Sequence, residues 1–277
     1  MEEYDLILPN GEYLSERLPG VSLASFVPES PNFESNTTYT HPLRNGIIKP
    51  KKGNRGRYTE RKISIKLNIS AYDSEHFHLI RGDLHRLFKR KDPFYISYTY
   101  QPNKRYLVSG DDSFTVAQDS YLTWKEQEIT LTDILGLAES VYDTTTPFKI
   151  DQHWGFDMNV GVIANPMYRF KNLSKFEVYN LGDEDVSPID HNYNVEMYLE
   201  GRDIEIINET TGESFTLVGS QSKTNKITLA KFYAVNGSTI LTTKGACFPV
   251  LVPGANKFKI INATYSDIKF ITHFYYK

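Results

Sequence analysis

The residues able to do chemistry are few and dispersed along the chain. A cysteine nucleophile needs a partnered histidine and an electropositive setting. Cys247 is the sole cysteine and sits in Gly245-Ala246-Cys247-Phe248-Pro249 with neither cue beside it, so a buried structural thiol is the expected role. His76, His78 and His85 share one stretch with Asp83. His78 and His85 fall on one helical face but two turns apart, too far for one metal ion to bridge in the manner of a zinc protease helix. Solvated histidines on a helix surface are the reading that remains. Asp111-Asp112 and Asp183-Glu184-Asp185 pair carboxylates, as a glycosidase must across a cleft, but both runs lie in turn-forming sequence and read as solvated loop tips. Gly-x-Ser-x-Gly elbows, P-loops and dinucleotide glycine patterns are absent from the sequence. The expectation is a protein that is not an enzyme, with no cofactor and no metal.

One stretch is strongly biased. Lys49, Lys51, Lys52, Arg55 and Arg57 surround Pro50, Gly53 and Gly56. Such a loop can contact phosphates or an anionic partner, or it can be a solvated connection between two strands. No aromatic residue interleaves with these charges, which argues against a platform for stacking single-stranded nucleic acid. The net charge of -3 likewise argues against specific nucleic-acid recognition by the whole chain.

The elements that must position these residues are clearest between Arg61 and Tyr100. Ile63, Ile65, Leu67 and Ile69 alternate with polar residues, the period of a strand with one buried face. Phe77, Ile80, Leu84, Leu87 and Phe88 then form one stripe of an amphipathic helix. Asp73 suits its N-cap, Tyr72 and Phe77 suit a hydrophobic staple, Lys89, Arg90 and Lys91 suit its C-terminal dipole, and Asp92-Pro93 ends it. Phe94, Ile96, Tyr98 and Tyr100 alternate as a second strand. Tyr4 to Leu8 reads as an opening strand, Ser15 to Thr40 as extended segments without a packed element, and Arg105 to Ser109, Ser113 to Gln118 and Tyr121 to Leu131 as further strands. The first half is thus an α+β unit with one helix laid on an antiparallel meander.

A chain of 277 residues is comfortable for two domains. Asp143-Thr144-Thr145-Thr146-Pro147 has linker composition, which predicts domains at 1–145 and 146–277. The second half has no helical period beyond two turns. Strand candidates recur at Phe176–Asn180, Val195–Leu199, Ile204–Asn208, Ser214–Val218, Ile227–Val235, Phe258–Ile261 and Ile268–Tyr276, divided by turn sequence at spacings that suggest a β-sandwich. The apolar end, with Phe270, Phe274, Tyr275 and Tyr276, predicts a C-terminus packed into its sheet. The acidic start, with Glu2, Glu3 and Asp5, has the wrong charge for a signal peptide, and no apolar run approaches a membrane span. A single cysteine excludes an intrachain disulfide. The expectation is a soluble protein made in a reducing compartment, without membrane insertion.

Two groups of segments carry a family resemblance. The first is Tyr58 to Ile65 with Leu87-Phe88 and Asp92 to Ile96. The second is Phe176 to Asp183, Ile204 to Leu217, Val252 to Ile260 and the terminal Phe274-Tyr275-Tyr276. In this order and total length the chain resembles the distal tail proteins (Dit) of long-tailed, non-contractile siphophages that infect Gram-positive bacteria. The resemblance implies a mainly β protein: an N-terminal α+β sandwich or split-barrel-like domain with one helix, and a C-terminal galectin-like β-sandwich. It implies a structural virion protein at the tail tip or baseplate, made in the host cytoplasm, whose hexameric ring joins the tail tube to the host-adsorption apparatus. The implied partners are other copies of itself, the tail tube protein and the tail-associated lysin or tail-tip protein, with the tape measure protein and a receptor-binding protein as further candidates. It also implies a belt segment reaching onto a neighbouring subunit, to which Lys49, Lys51, Lys52, Arg55 and Arg57 would belong as interface residues. The competing reading is a β-sandwich lectin-like module that binds bacterial surface carbohydrate, for which Trp154, Tyr193, Tyr198 and Tyr233 would be candidate stacking residues.

Overall fold

The structure, a computed structural model, describes residues 4–35, 42–43, 45, 56–118, 125–150, 152–159, 165–231, 233–245 and 249–277. The chain is mainly β and divides into two compact units, Met1–Ala138 with Lys277, and Glu139–Tyr276.

In the first unit six strands form an antiparallel sheet in the order Leu6–Ile7, Phe94–Tyr98, Lys104–Ser109, Lys125–Asp133, Arg61–Ile69, Val21–Pro28. Arg61–Ile69 pairs with Lys125–Asp133 along its whole length, and its alternation turns Ile63, Ile65, Leu67 and Ile69 fully inward. The sheet curls. The ring of Phe26, on the strand at one end of the order, stacks 4.6 Å from that of Tyr98, near the other end, and lies 5.4 Å from that of Tyr106. Tyr4 ties the same corner, its hydroxyl accepting from the Phe26 N–H at 2.9 Å. Curling of this kind buries one continuous apolar face without a second sheet.

The helix spans Ser74–Phe88, and its stripe of Phe77, Ile80, Leu84 and Phe88 is buried. Each such side chain contributes about 1.5–3 kcal/mol on leaving water. Asp73 is the N-cap, its carboxylate accepting from the His76 N–H at 2.7 Å. The staple is not made: Tyr72 is 94% exposed and stacks instead on His76, with ring centroids 5.0 Å apart. Lys89 does not serve its own helix end either. Its ammonium donates to the carbonyls of Gly110, Asp111 and Asp112, clasping that turn to the helix C-terminus. Gly110 is required there, because a Cβ would lie 1.8 Å from the Phe88 carbonyl oxygen.

Three expectations for this unit need correction. A second, four-residue helix occurs at Leu14–Arg17, too short to leave a periodic signal. Val21–Pro28 is a strand of the main sheet, not a loose extended segment. Its register shifts between Leu23 and Ser25, so the buried positions run Val21, Leu23, Phe26 and the period of two is broken. Ser113 to Gln118 is not a strand. Here the buried side-chain amide of Gln127 pairs with Ala117, accepting from its N–H at 2.9 Å and donating to its carbonyl at 3.1 Å, in place of a ladder.

The second unit is built on two long antiparallel strands, Tyr193–Asn208 and Gly254–Thr272. Both bend at the same level. Gly201, Asp203 and Asn262 have positive φ, and the register shifts between Glu200 and Glu205. A Cβ on Gly201 would lie 2.1 Å from the Asn262 carbonyl oxygen, so only glycine permits this approach. On one side of the bend the pair is flanked by Lys175–Asn180 and Glu213–Gln221; on the other it is flanked by Arg169–Lys171 and Lys226–Ala230. The two wings face each other. Phe170 stacks 4.3 Å from Phe176, and Phe258 lies 5.2 Å from Phe270, all four buried. One sheet folded on itself thus encloses an aromatic core.

The start and end of this unit are joined. Ser140 N–H donates to the Phe274 carbonyl at 2.8 Å, and Thr144 N–H donates to the Thr272 carbonyl at 3.0 Å. Glu139 to Thr144 therefore belong with the second unit, upstream of the position near residue 145 that linker composition suggests. Phe274 and Tyr276 are fully buried, so the C-terminal residues are part of the core.

Candidate functional site

The candidate site is a feature of the first unit that stands outside its main sheet. Asn32–Ser35 and Gly56–Thr59 form a two-stranded antiparallel ribbon, with Glu34 opposite Arg57. Neither strand pairs with a third strand among the described residues. The ribbon is closed at its base by Asn32, whose side-chain amide donates to the Thr59 hydroxyl at 2.8 Å. Phe33 and Tyr58 meet edge to face at 5.2 Å, and Phe33 remains 40% exposed. Gly56 is obligatory: a Cβ would lie 2.3 Å from the Glu34 carbonyl oxygen and 2.4 Å from the Phe33 ring.

The ribbon is rooted in a buried ion pair. Arg61 Nε donates to Asp133 at 2.9 Å, and the two side chains are 3% and 0% exposed. Arg61 Nη1 also donates to the Glu29 carbonyl at 3.1 Å, just after the Val21–Pro28 strand on the way into the ribbon. The Glu29 N–H donates to the Lys62 carbonyl at 2.8 Å, so both legs are bound where they leave the sheet. Burial pushes the Asp133 carboxyl above the usual carboxylate range, while Arg61 beside it pulls the other way. Gly136, at φ 68, lets the chain approach the Thr59 carbonyl oxygen, where a Cβ would lie 2.1 Å away.

Of the basic residues that composition singles out, Lys49, Lys51, Lys52 and Arg55 lie outside the described residues, as does Cys247. Arg57 is exposed on the ribbon. The signal that finds the ribbon is weak, two four-residue strands on either side of that biased stretch. The Arg61–Asp133 pair is missed because its partners are far apart in sequence and each reads as an ordinary surface charge.

The other candidates for chemistry are engaged separately. His76 Nδ1 accepts from the Tyr72 N–H at 3.2 Å, and His85 meets the Phe114 ring edge at 5.2 Å. Among the described residues no three His, Cys, Asp or Glu side chains are grouped as a metal site. Asp112 is held by Lys62 and Thr132, and Asp183 accepts from the Asn159 amide at 2.8 Å. A cleft of about 370 Å³ near the chain start contains Asp5. That carboxylate is saturated by the Leu6 N–H, the Ser15 N–H and the Ser15 hydroxyl, which is a structural role. The aromatic residues considered for sugar stacking do not form one surface: Trp154 and Tyr193 are buried, Tyr198 half-buried and Tyr233 exposed.

Residues 20–132 match the family of the phage tail protein RIFT-related domain. No curated protein matches the chain significantly in sequence. Among solved structures, the Dit protein of phage SPP1 superposes with a TM-score of 0.63 at 10% identity, covering 98% of this chain and 99% of that one. That protein is described as a paradigm of the hub adsorption apparatus in phages infecting Gram-positive bacteria. The phage p2 baseplate in its activated conformation with strontium gives a TM-score of 0.40 at 10% identity over 97% of each chain. The chain therefore has the fold of SPP1 Dit over nearly its whole length, and its residues 20–132 match a phage tail domain family.

Proposed function

From the premise that residues 20–132 form a phage tail protein RIFT-related domain, we propose that this chain is a tail-tip hub: a structural virion protein whose first unit assembles a hexameric ring between the tail tube and the adsorption apparatus. The observation that carries this reading is the ribbon of Asn32–Ser35 and Gly56–Thr59, set outside the main sheet and rooted by a buried ion pair. A ring requires a heterologous contact, in which one surface of each subunit meets a different surface of the next. A projecting strand pair supplies such a contact through main-chain groups and needs no distinctive side-chain motif. Lys49, Lys51, Lys52, Arg55 and Arg57 belong to the segment that reaches the neighbour, and the contact they make is with an acidic surface there. The tail tube protein binds above, the tail-associated lysin or tail-tip protein below, with the tape measure protein and a receptor-binding protein as further neighbours.

This role is structural, located at the virion tail tip, and needs neither cofactor nor catalytic group. Light scattering of the purified full-length chain across a concentration series tests it. A species near six times 31.9 kDa, or smaller oligomers converging on it, is the expected result. A strict monomer at high concentration, also when mixed with the tail tube protein, refutes the ring.

A further inference from the structure

The second unit contains a cleft of about 370 Å³ lined by Phe148, Trp154, Asn165, Arg169 and Lys269 among others. Trp154 is 1% exposed, and its indole N–H has no acceptor among the described residues. Buried donors are satisfied in the great majority of cases, and an exception calls for an explanation, such as a group that arrives later. Thr146, Asn165 and Lys269 line the same cleft.

The electrostatics point the same way. Arg169 and Lys269 sit directly opposite each other across an antiparallel pair, an arrangement of like charges that costs stability. Asp267 is taken up by Arg169, accepting from its Nε at 2.9 Å and its Nη2 at 2.8 Å through both carboxylate oxygens. On its other side Lys269 faces Glu196, but that carboxylate is taken by Lys226. Among the described residues Lys269 is therefore a half-buried cation without an ion pair, beside a second cation. The apolar part of the lining is a stack of Phe148 on Trp154, with ring centroids 5.8 Å apart.

We propose that this cleft binds an acidic monosaccharide unit, one sugar ring bearing a phosphate or carboxylate. The volume is at the lower end of small-molecule sites, about 300–1,000 Å³, and suits one such ring. The anion lies between Lys269 and the free edge of Arg169. The sugar oxygens accept from Trp154 Nε1 and the Asn165 amide, and the ring lies against Phe148. A neutral sugar would leave Lys269 unanswered, and a bare anion would leave the indole unanswered. The site is independent of the hub reading: assembly is tested by mass, and the cleft by titration.

The test uses the full-length chain and four probes: glucose 1-phosphate, glucuronate, glucose and inorganic phosphate. Calorimetry on the unmodified chain is paired with fluorescence of a Trp124→Phe variant, in which Trp154 is the one remaining tryptophan. Saturable binding of glucose 1-phosphate or glucuronate is expected, at least tenfold tighter than either glucose or phosphate, with a change in Trp154 emission. Lys269→Glu should weaken it at least tenfold. If circular dichroism shows that variant misfolded, Lys269→Gln should still weaken binding at least threefold. No saturation by either acidic sugar, equal binding of glucose or phosphate, or indifference to Lys269 overturns the proposal.

Discussion

Replacing Arg61 by methionine isolates the interaction on which the ribbon stands. Methionine keeps an apolar stem of similar length and removes the guanidinium. Asp133, fully buried, would then keep only backbone donors, the Leu135 N–H at 3.2 Å among them. Breaking a buried ion pair by removing one partner costs about 3–5 kcal/mol, because the other charge stays in a poorly solvated place. Domain stabilities of about 5–15 kcal/mol make that a large fraction. The pH dependence gives an internal check. Burial already raises the Asp133 carboxyl, and loss of Arg61 raises it further. A carboxyl whose folded pKa lies above its unfolded value destabilises the fold when ionised and is relieved as pH falls. The penalty in Arg61→Met should thus be larger at pH 7 than at pH 5, since it shrinks as pH falls from the folded pKa toward the unfolded carboxylate value. A second variant, Arg61→Met with Asp133→Leu, removes both charges and should return to within about 1 kcal/mol of the parent. Urea unfolding followed by circular dichroism, at pH 7 and pH 5, measures all three chains. A cost below about 1 kcal/mol for Arg61→Met, or a double variant no better than the single one, would refute the reasoning, since a solvated pair behaves in that way.

Other outcomes follow from the same structure. Gly56→Ala places a Cβ against the Glu34 carbonyl and the Phe33 ring, so it should distort the ribbon and weaken ring assembly by light scattering while leaving the melting temperature nearly unchanged. Charge reversal of Lys51, Lys52 and Arg55 should also weaken assembly, and the loss should be mimicked by raised salt in the parent. Lys89→Met removes an ammonium from three carbonyls and should cost about 1 kcal/mol in urea unfolding, discounted for its exposure. His191 is held down to about 4 by burial, its Nδ1 accepting from the Ser187 N–H at 3.0 Å. A depressed folded pKa gives stability that is present above about 6.5 and lost as pH falls through about 4, at most about 3 kcal/mol. His191→Gln should flatten that part of the stability profile.

The legible parts were those whose signal is local. Arg61–Ile69 shows because the alternation of one buried face is written in consecutive residues, and its neighbour strand Lys125–Asp133 repeats it. The Ser74–Phe88 helix shows because its cap and stripe lie within one window. The mainly β character of the second half shows in its turn residues and short apolar runs. The same turn residues also mislead. Glu200-Gly201-Arg202 reads as a turn between two strands, yet Tyr193–Asn208 is one strand with a bend. Conversely, Ile227–Val235 reads as one strand and is a hairpin, Lys226–Ala230 with Tyr233–Asn236, reversing at Lys231, φ 52. Positive φ serves a bulge and a tight turn equally, and only the opposite strand decides between them.

By itself the sequence determined the mainly β class and the core faces of its regular elements. Only the tertiary structure decided what depends on partners distant in the chain. Arg61 and Asp133 are 72 residues apart, and their value comes from joint burial. The ribbon is defined by where the main sheet stops pairing. Lys269 becomes notable only when Asp267 is seen on Arg169 and Lys226 on Glu196. Side-chain type and local period fix which face is apolar, because that information is carried by neighbours in sequence. Which charges are answered, and which donors are left without an acceptor, is settled by the packing of strands that meet across the fold.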